Sequence, residues 1–141
     1  MPGLVACAAA LALAIAVGCG WRARNGRVRA RVPEPADVAR PDLTDADLGL
    51  ALGARATLLQ FSSAFCAPCR ATRQILSEVA GMIDGVSHVE IDAESRLDLV
   101  RRLNVRRTPT TFVLGPDGKI THRASGQPRK ADVIAALGAV V

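Results

Sequence analysis

The sequence contains few of the side chains that build a structural metal site. Its 141 residues include two histidines, His88 and His122, and four cysteines. Two of the cysteines, Cys7 and Cys19, lie in an apolar N-terminal run, and the histidines do not have the spacing of zinc ligands. A structural zinc ion needs four ligands, commonly supplied by two closely spaced pairs. The sequence therefore argues against zinc, and we expect no metal site.

Charged side chains are absent from Pro2 to Trp21. At about 1.5 Å per residue, a helix of this length crosses roughly 30 Å of hydrocarbon. Trp21 stands where an interfacial aromatic side chain anchors the end of a membrane span. We therefore expect a transmembrane signal anchor over residues 2–21, in contact with membrane lipid.

Excess positive charge is confined to one short segment after this run. It holds five arginines, a number that equals the formal net charge of +5: Arg22, Arg24, Arg27, Arg29 and Arg31. The basic character therefore belongs to a juxtamembrane arm and does not indicate nucleic-acid binding. Because such arginines stay in the cytoplasm, we expect a single-pass protein of the cell membrane with its domain on the cytoplasmic side.

Two other interpretations of the N-terminal segment stay open, and both would export the domain. A cleavable signal peptide needs positive charge before the apolar run, and Met1-Pro2-Gly3 supplies none beyond the amino terminus. A lipoprotein would be modified at Cys19, but the residue three positions earlier is Ala16 where leucine is usual. Residues 22–42 are predicted to be a linker, since Pro33 and Pro35 favour an extended chain. A short first strand is expected at Val38.

The most informative segment is Phe65-Cys66-Ala67-Pro68-Cys69-Arg70. The residues before it, 56–61, predict a buried strand, and apolar residues after it recur at helical spacing. Cys66 is thus expected at a helix start, where unpaired N–H groups and the helix dipole favour the nucleophilic thiolate. Cys69, one turn later, can resolve a mixed disulfide. The spacing predicts thiol–disulfide exchange. A purely structural disulfide is the weaker interpretation, because so short a loop stabilises little.

From about Leu43 to the C-terminus, the sequence resembles the thioredoxin family. The matching features follow in order: Leu43-Thr44-Asp45 before the first helix, Leu58-Leu59-Gln60-Phe61 in the central strand, the motif Cys66-Ala67-Pro68-Cys69, the parallel strand 86–92, the loop Thr108-Pro109-Thr110-Thr111-Phe112, the turn Gly115-Pro116-Asp117-Gly118, and Gly126. The resemblance implies an α/β thioredoxin fold over residues 43–141, with a mixed central β-sheet flanked by helices and preceded by one N-terminal transmembrane helix.

The resemblance also implies roles for individual residues. Cys66 would be the nucleophile and Cys69 the resolving thiol of a protein-disulfide oxidoreductase. The Thr108–Pro109 bond would be cis, and the backbone of Thr108 would pair with the substrate as an added strand. The residues expected to contact substrate are Phe65, Ala67, Pro68, Thr108, Pro109 and Gly126. The redox-active disulfide would serve without any further cofactor. The partners would be protein disulfide substrates and an unidentified electron donor, acting on a monomer.

The sequence departs from the family pattern at several positions in the site. Phe65 replaces a tryptophan, Ala67 replaces a glycine, and His88 stands where lysine is usual. Gln60 replaces a buried aspartate under the second cysteine. That aspartate moves a proton to or from the buried thiol, and an amide cannot take up the proton.

The order of elements supports the same architecture. Helices are predicted at residues 45–52, 66–82, 97–103 and 129–137, and strands at 56–62, 86–92, 110–114 and 119–125. Alternating β and α units followed by a hairpin give a mixed sheet covered on both faces. A different class of function remains open: a non-enzymatic module of the same fold that docks a partner or carries copper between the two thiolates. The intact cysteine pair and proline loop favour exchange over docking.

Overall fold

The computed structural model describes residues 2–30 and 42–141. A long N-terminal helix precedes an α/β domain. The helices are α1 (Pro2–Arg24), α2 (Asp45–Leu48), α3 (Ala67–Gly81), α4 (Leu97–Arg102) and α5 (Lys130–Gly138). The strands are β1 (Arg29–Ala30), β2 (Ala56–Ser62), β3 (Val86–Asp92), β4 (Thr110–Leu114) and β5 (Ile120–Ser125).

The strands form one mixed sheet in the order β1-β5-β4-β2-β3. β2 runs parallel to β3, while the β2–β4, β4–β5 and β1–β5 pairs are antiparallel. Every residue of β2 is buried, because the strand lies between two neighbours and is covered on both faces. The predicted mixed sheet is confirmed.

Alternate side chains of the sheet fill two separate cores. Leu59 and Phe61 of β2 point to the face covered by α2 and α4, where Phe61 meets Phe112 edge-on with ring centroids 5.9 Å apart. Leu58 points to the opposite face, where it packs with residues of α3 and α5. Gln60 lies two positions beyond Leu58 and so shares the α3 face. This alternation brings a polar side chain under the first turn of α3.

The predicted strands 56–62, 86–92 and 110–114 have the observed boundaries. Most of the other element ends differ by a single residue at a cap. The largest difference concerns α2, which ends at Leu48 instead of residue 52. Gly49 takes a left-handed conformation there (φ 71°), its N–H binds the carbonyl of Asp45, and the Asp45 carboxylate accepts the N–H of Leu52. This cap ends the helix after one turn.

The N-terminal helix extends to Arg24, three residues beyond the predicted span. It is long and apolar enough to cross a membrane, a property that a signal sequence near the N-terminus shares. The strand β1 was not predicted. Arg29 and Ala30 pair with Arg123 and His122 at the edge of the sheet, so part of the expected linker is a strand. The strand expected at Val38 falls outside the described residues.

Candidate active site

The cysteine pair lies at the junction of β2 and α3, as predicted. The two sulfurs form a disulfide with an S–S distance of 2.02 Å and a Cα–Cα distance of 5.2 Å. Cys66 is the N-cap residue of α3 and is half-buried, whereas Cys69 is buried. Phe65, just before the pair, has a left-handed backbone (φ 58°) and a fully exposed ring. The chain therefore reverses at Phe65 and presents Cys66 at the surface.

Cys66 lies at the N-terminal end of α3, where the helix dipole is positive. No side chain caps this end of the helix. Pro68 occupies the first turn, where its lack of an N–H costs no helical hydrogen bond. The Thr72 hydroxyl donates to the carbonyl of Pro68 at 2.9 Å. Such a helix start favours negative charge on a sulfur placed there.

The proline loop lies beside the helix start. The Thr108–Pro109 bond is cis, as expected. The hydroxyls of Ser63 and Thr108 are hydrogen-bonded at 2.7 Å, which ties the loop after β2 to the proline loop. The N–H of Gly126 donates to the carbonyl of Pro109 at 2.7 Å. Three segments that are distant in sequence therefore meet at one edge of the domain.

A cavity of about 1210 Å³ opens beside this loop, and we call it the groove. Its domain side includes four of the six residues expected to contact substrate: Pro68, Thr108, Pro109 and Gly126. Its other side is formed by the last turns of α1. Phe65 and Ala67 do not line the groove but are exposed next to the cysteine pair. The geometry thus places all six near the disulfide or along the groove.

Beneath Cys69 lies a network of polar side chains. Gln60 is fully buried, and its Nε2 donates to the carbonyl oxygen of Cys69 and to Oγ of Ser62, both at 2.9 Å. The Ser62 hydroxyl in turn donates to Glu90, and Arg73 holds the same carboxylate through Nε and Nη2. Both amide protons of Gln60 are therefore bound to protein acceptors.

The charges in this network are fixed by its contacts. Burial raises the pKa of Glu90, but the hydrogen bonds from Arg73 and Ser62 together outweigh it and hold that pKa below its usual range. Burial lowers the pKa of His88, although the nearby Glu90 carboxylate opposes the shift. His88 Nε2 lies 3.3 Å from Gln60 Oε1. Since that oxygen can only accept, Nε2 carries the proton of a neutral imidazole. At neutral pH, Glu90 is thus charged and His88 is not.

Sequence reasoning identified Gln60 and His88 but missed Ser62, Arg73 and Glu90. The pairing register explains how they meet. Gln60 lies beside Glu90 in the parallel pair of strands, and side chains two positions apart share a face. The even-numbered positions of β2 and β3 could therefore have been grouped from the predicted strands. Among residues 2–30 and 42–141, no group of three or more His, Cys, Asp or Glu side chains is placed to hold a metal ion.

Comparison with known proteins identifies the domain. The sequence model of the thioredoxin family matches residues 44–139. Thioredoxin H2-1 of Oryza sativa subsp. japonica is 29% identical over 69 residues, which are 49% of this chain and 49% of that protein. Thioredoxin-2 of Pyricularia oryzae is 30% identical over 78 residues, 55% of this chain and 45% of that protein. The chain thus spans about half the length of the curated relatives it matches.

Solved structures show the same fold. Chloroplastic thioredoxin z is 24% identical with a TM-score of 0.55, and the match covers 62% of this chain and 79% of that one. A thioredoxin of Schistosoma mansoni is 17% identical, again with a TM-score of 0.55, over 62% and 80% of the two chains. The family match spans more than half of the sequence and includes a disulfide-forming Cys66–Cys69 pair in its expected place. The chain belongs to the thioredoxin family.

Proposed function

We propose that this chain is a thiol–disulfide oxidoreductase that exchanges disulfides with protein substrates through Cys66 and Cys69. The observation that carries the proposal is the disulfide-forming pair at the start of α3, beside a cis-proline loop. In the dithiol form, the Cys66 thiolate attacks a sulfur of the substrate disulfide, and one substrate thiolate leaves. Cys69 then attacks the Cys66 sulfur of the mixed disulfide. The second substrate thiol departs, the Cys66–Cys69 disulfide forms, and two electrons have passed to the substrate.

The groove supports recognition of an extended substrate segment. We infer that the backbone of Thr108 pairs with the substrate as an added strand, since Thr108 and Pro109 line the groove and Pro109 has no N–H of its own to satisfy there. Phe65, Ala67 and Pro68 are exposed and apolar, and they flank Cys66 in sequence. Gly126 lines the groove and leaves room for the side chain of Asn25, which lies 2.4 Å from where a Cβ would stand. Regeneration of the dithiol requires an electron donor, which must bring a thiol pair or an equivalent two-electron reductant to the same surface.

We further propose that α1 is an uncleaved membrane anchor with the catalytic domain on the cytoplasmic side. The support is the uncharged helix, its terminal Trp21 and the arginines that follow. In this arrangement residues 2–21 lie in the membrane, residues 22–42 join the two parts and contribute β1 to the sheet, and residues 43–141 form the rest of the redox domain, which acts as a monomer. An exported domain or a lipoprotein remains the alternative outcome of the topology test below.

The reactivity of Cys66 tests whether the N-terminal end of α3 favours its thiolate. In the full chain with Cys69→Ser, we expect the pKa of the Cys66 thiol to lie below that of an ordinary cysteine, about 8.5, because the sulfur stands at the uncapped N-terminal end of α3, where the helix dipole favours negative charge. The measurement is the rate of alkylation against pH, followed at the Cys66 peptide by mass spectrometry. Cys69 in a Cys66→Ser chain serves as the matched control and should react slowly near neutral pH, since it is buried. A Cys66 titration at or above the ordinary value would contradict the argument.

Topology tests the anchor. Protease added to intact cells should leave the domain whole, and the mass of the mature chain should include the N-terminal segment. Disruption of the membrane should then make the domain accessible to the same protease, which controls for intrinsic resistance. Cleavage in intact cells would place the domain outside. A mature chain that begins at Cys19 would indicate a lipoprotein.

Gln60 tests the proton-transfer step. We expect Gln60→Asp to speed resolution of the mixed disulfide, because a carboxylate at this position can accept the Cys69 proton; general-base help is worth at most about 10²–10⁴-fold. The new buried acid should also lower the free energy of unfolding. Gln60→Asn is the matched control, since asparagine has the shape of aspartate but its amide cannot take a proton. Stopped-flow turnover of a disulfide substrate at neutral pH measures the step. A folded Gln60→Asp chain no faster than Gln60→Asn would show that this position does not act as the base.

A further inference from the structure

The basic segment after α1 is held against the edge of the sheet. The N–H of Gly26 donates to the carbonyl of Ser125 at 2.9 Å, and Gly26 has φ 75°. A Cβ added there would lie 1.7 Å from the carbonyl oxygen of Gln127, so this corner requires glycine. Val28 then packs against the core that contains residues of α3 and α5, and β1 pairs with β5. The fold therefore fixes the path of this segment.

This path brings two positive charges together across a strand pair. Arg29 stands directly opposite Arg123 in the antiparallel pairing of β1 with β5. Residues that face each other in this way lie on the same side of the sheet, and like charges at such positions destabilise the pair. An anion bound between them would remove that repulsion.

Backbone carbonyl groups orient two arginines from distant parts of the chain beside this strand pair. Arg123 donates to the carbonyls of Leu103 and Asn104 at 3.1 and 2.8 Å. Arg107, in the proline loop, donates through Nη2 to the carbonyl of Ser125 at 2.8 Å. A carbonyl group positions a guanidinium but does not carry the full negative charge that would neutralise it. Both side chains are thus held in place without a carboxylate in these contacts.

These side chains meet in one cavity of about 510 Å³, which we call the arginine cavity. Five arginines line it: Arg24, Arg27, Arg29, Arg107 and Arg123. The other lining residues are Ala30 and Ser125, so no described acidic side chain faces the cavity. Among residues 2–30 and 42–141, no carboxylate forms an ion pair with Arg27, Arg29 or Arg107. The volume lies within the range of ligand cavities, about 300–1,000 Å³.

The chemistry of the arginine cavity suits a phosphate monoester. Such a group carries up to two negative charges and three strong acceptor oxygens, and the planar fork of a guanidinium matches a pair of phosphate oxygens. Several arginines can therefore bind one phosphate at the same time. A single carboxylate has one charge and two oxygens, and it would leave most of the five arginines without an anionic partner.

We propose that the arginine cavity binds a phosphomonoester, carried by a soluble molecule or by the headgroup of an anionic lipid. Arg24 lies three residues beyond Trp21. With α1 as the anchor proposed above, the cavity would lie outside the apolar span, at the level of lipid headgroups. The soluble source does not require the anchor. The site does not include Cys66 or Cys69, and the proposal is independent of the exchange activity.

The test presents the same phosphomonoester in free and lipid form to the full chain in neutral detergent micelles. Isothermal titration calorimetry measures binding of glycerol 3-phosphate, which is the headgroup of phosphatidic acid without its acyl chains. Native mass spectrometry counts the lipids retained from micelles that hold equal amounts of phosphatidic acid and phosphatidylcholine. We expect saturable one-to-one binding. Binding of glycerol 3-phosphate without retention of phosphatidic acid would assign a soluble source, and preferential retention of phosphatidic acid would assign the lipid.

A matched pair of double variants separates the cavity from general positive charge. Arg29→Gln combined with Arg107→Gln should weaken phosphate binding at least about tenfold, because charge-assisted hydrogen bonds are lost. Arg22→Gln combined with Arg101→Gln removes the same charge from the segment after Trp21 and from α4, at positions that do not line the cavity. This control should keep the affinity within about twofold, since exposed charges contribute little at a distance.

Arg29→Glu gives a second readout that does not require loss of the fold. The new carboxylate stands opposite Arg123, so the melting temperature should rise in the absence of phosphate. Glycerol 3-phosphate should raise the melting temperature of the unmodified chain, because a ligand of the folded state stabilises it. In Arg29→Glu this ligand-dependent rise should disappear.

Three results would overturn the proposal. The first is an absence of both saturable glycerol 3-phosphate binding and preference for phosphatidic acid. The second is an equal loss of binding in the two double variants, which would show that diffuse charge and not the arginine cavity attracts the anion. The third is binding of a soluble glutamate-rich peptide that glycerol 3-phosphate does not displace, which would assign the cavity to an acidic protein segment. None of these measurements uses disulfide exchange, so their failure is distinct from failure of the proposed activity.

Discussion

Burial of β2 between β3 and β4 is the constraint on which the site depends. The strand has no exposed residue, and its alternate side chains belong to two different cores. A slip by one residue would move Gln60 into the core of Leu59 and Phe61 and would bury a polar group among apolar ones. The register is therefore strongly specified. It fixes both the point at which α3 begins and the side chain that lies under Cys69.

The family resemblance implies a buried aspartate under the second cysteine, whereas the polar network under Cys69 has no charged group at that place. A neutral amide lies directly below the buried cysteine, and the nearest carboxylate of the network, Glu90, stands one strand away. Arg73 lowers the pKa of that carboxylate, which makes Glu90 a weak base at neutral pH. The ordered path from Arg73 through Glu90 and Ser62 to Gln60 instead holds the backbone of Cys69 in place. In this account the network positions the resolving cysteine more than it moves protons.

Local sequence signals predicted most of the domain because they agree with its tertiary contacts. The three strands with correct boundaries are short apolar or alternating runs, and the cysteine pair and Thr108–Pro109 were identified through motifs with fixed spacing. The length of α2 was overestimated. Its end depends on the glycine cap at Gly49 and on the Asp45 carboxylate, which accepts an N–H group that a longer helix would use. β1 could not be predicted, since a strand of two residues in a basic segment is too short to show alternation of apolar and polar side chains. It forms because β5 leaves an edge of the sheet open for pairing.

The contacts among Ser62, Arg73 and Glu90 required the strand register as well as the strands themselves. The position of α1 beside the groove could not be predicted from the sequence either. It depends on the corner at Asn25 and Gly26, where the N–H of Gly26 donates to the carbonyl of Ser125. That corner joins the long apolar helix to the domain that holds the Cys66–Cys69 disulfide. Each part is recognisable alone from its pattern, whereas their relative placement follows from a few backbone hydrogen bonds.

The most direct test of the central claim is covalent trapping. The full chain with Cys69→Ser is incubated with a disulfide-containing protein such as insulin, and adducts are mapped by mass spectrometry without reduction. The account predicts a stable mixed disulfide at Cys66, because no thiol is present to resolve it, and none in a chain with Cys66→Ser. Adducts confined to Cys7 or Cys19, or equal trapping in both variants, would contradict the assignment of Cys66 as the nucleophile of a disulfide-exchange site.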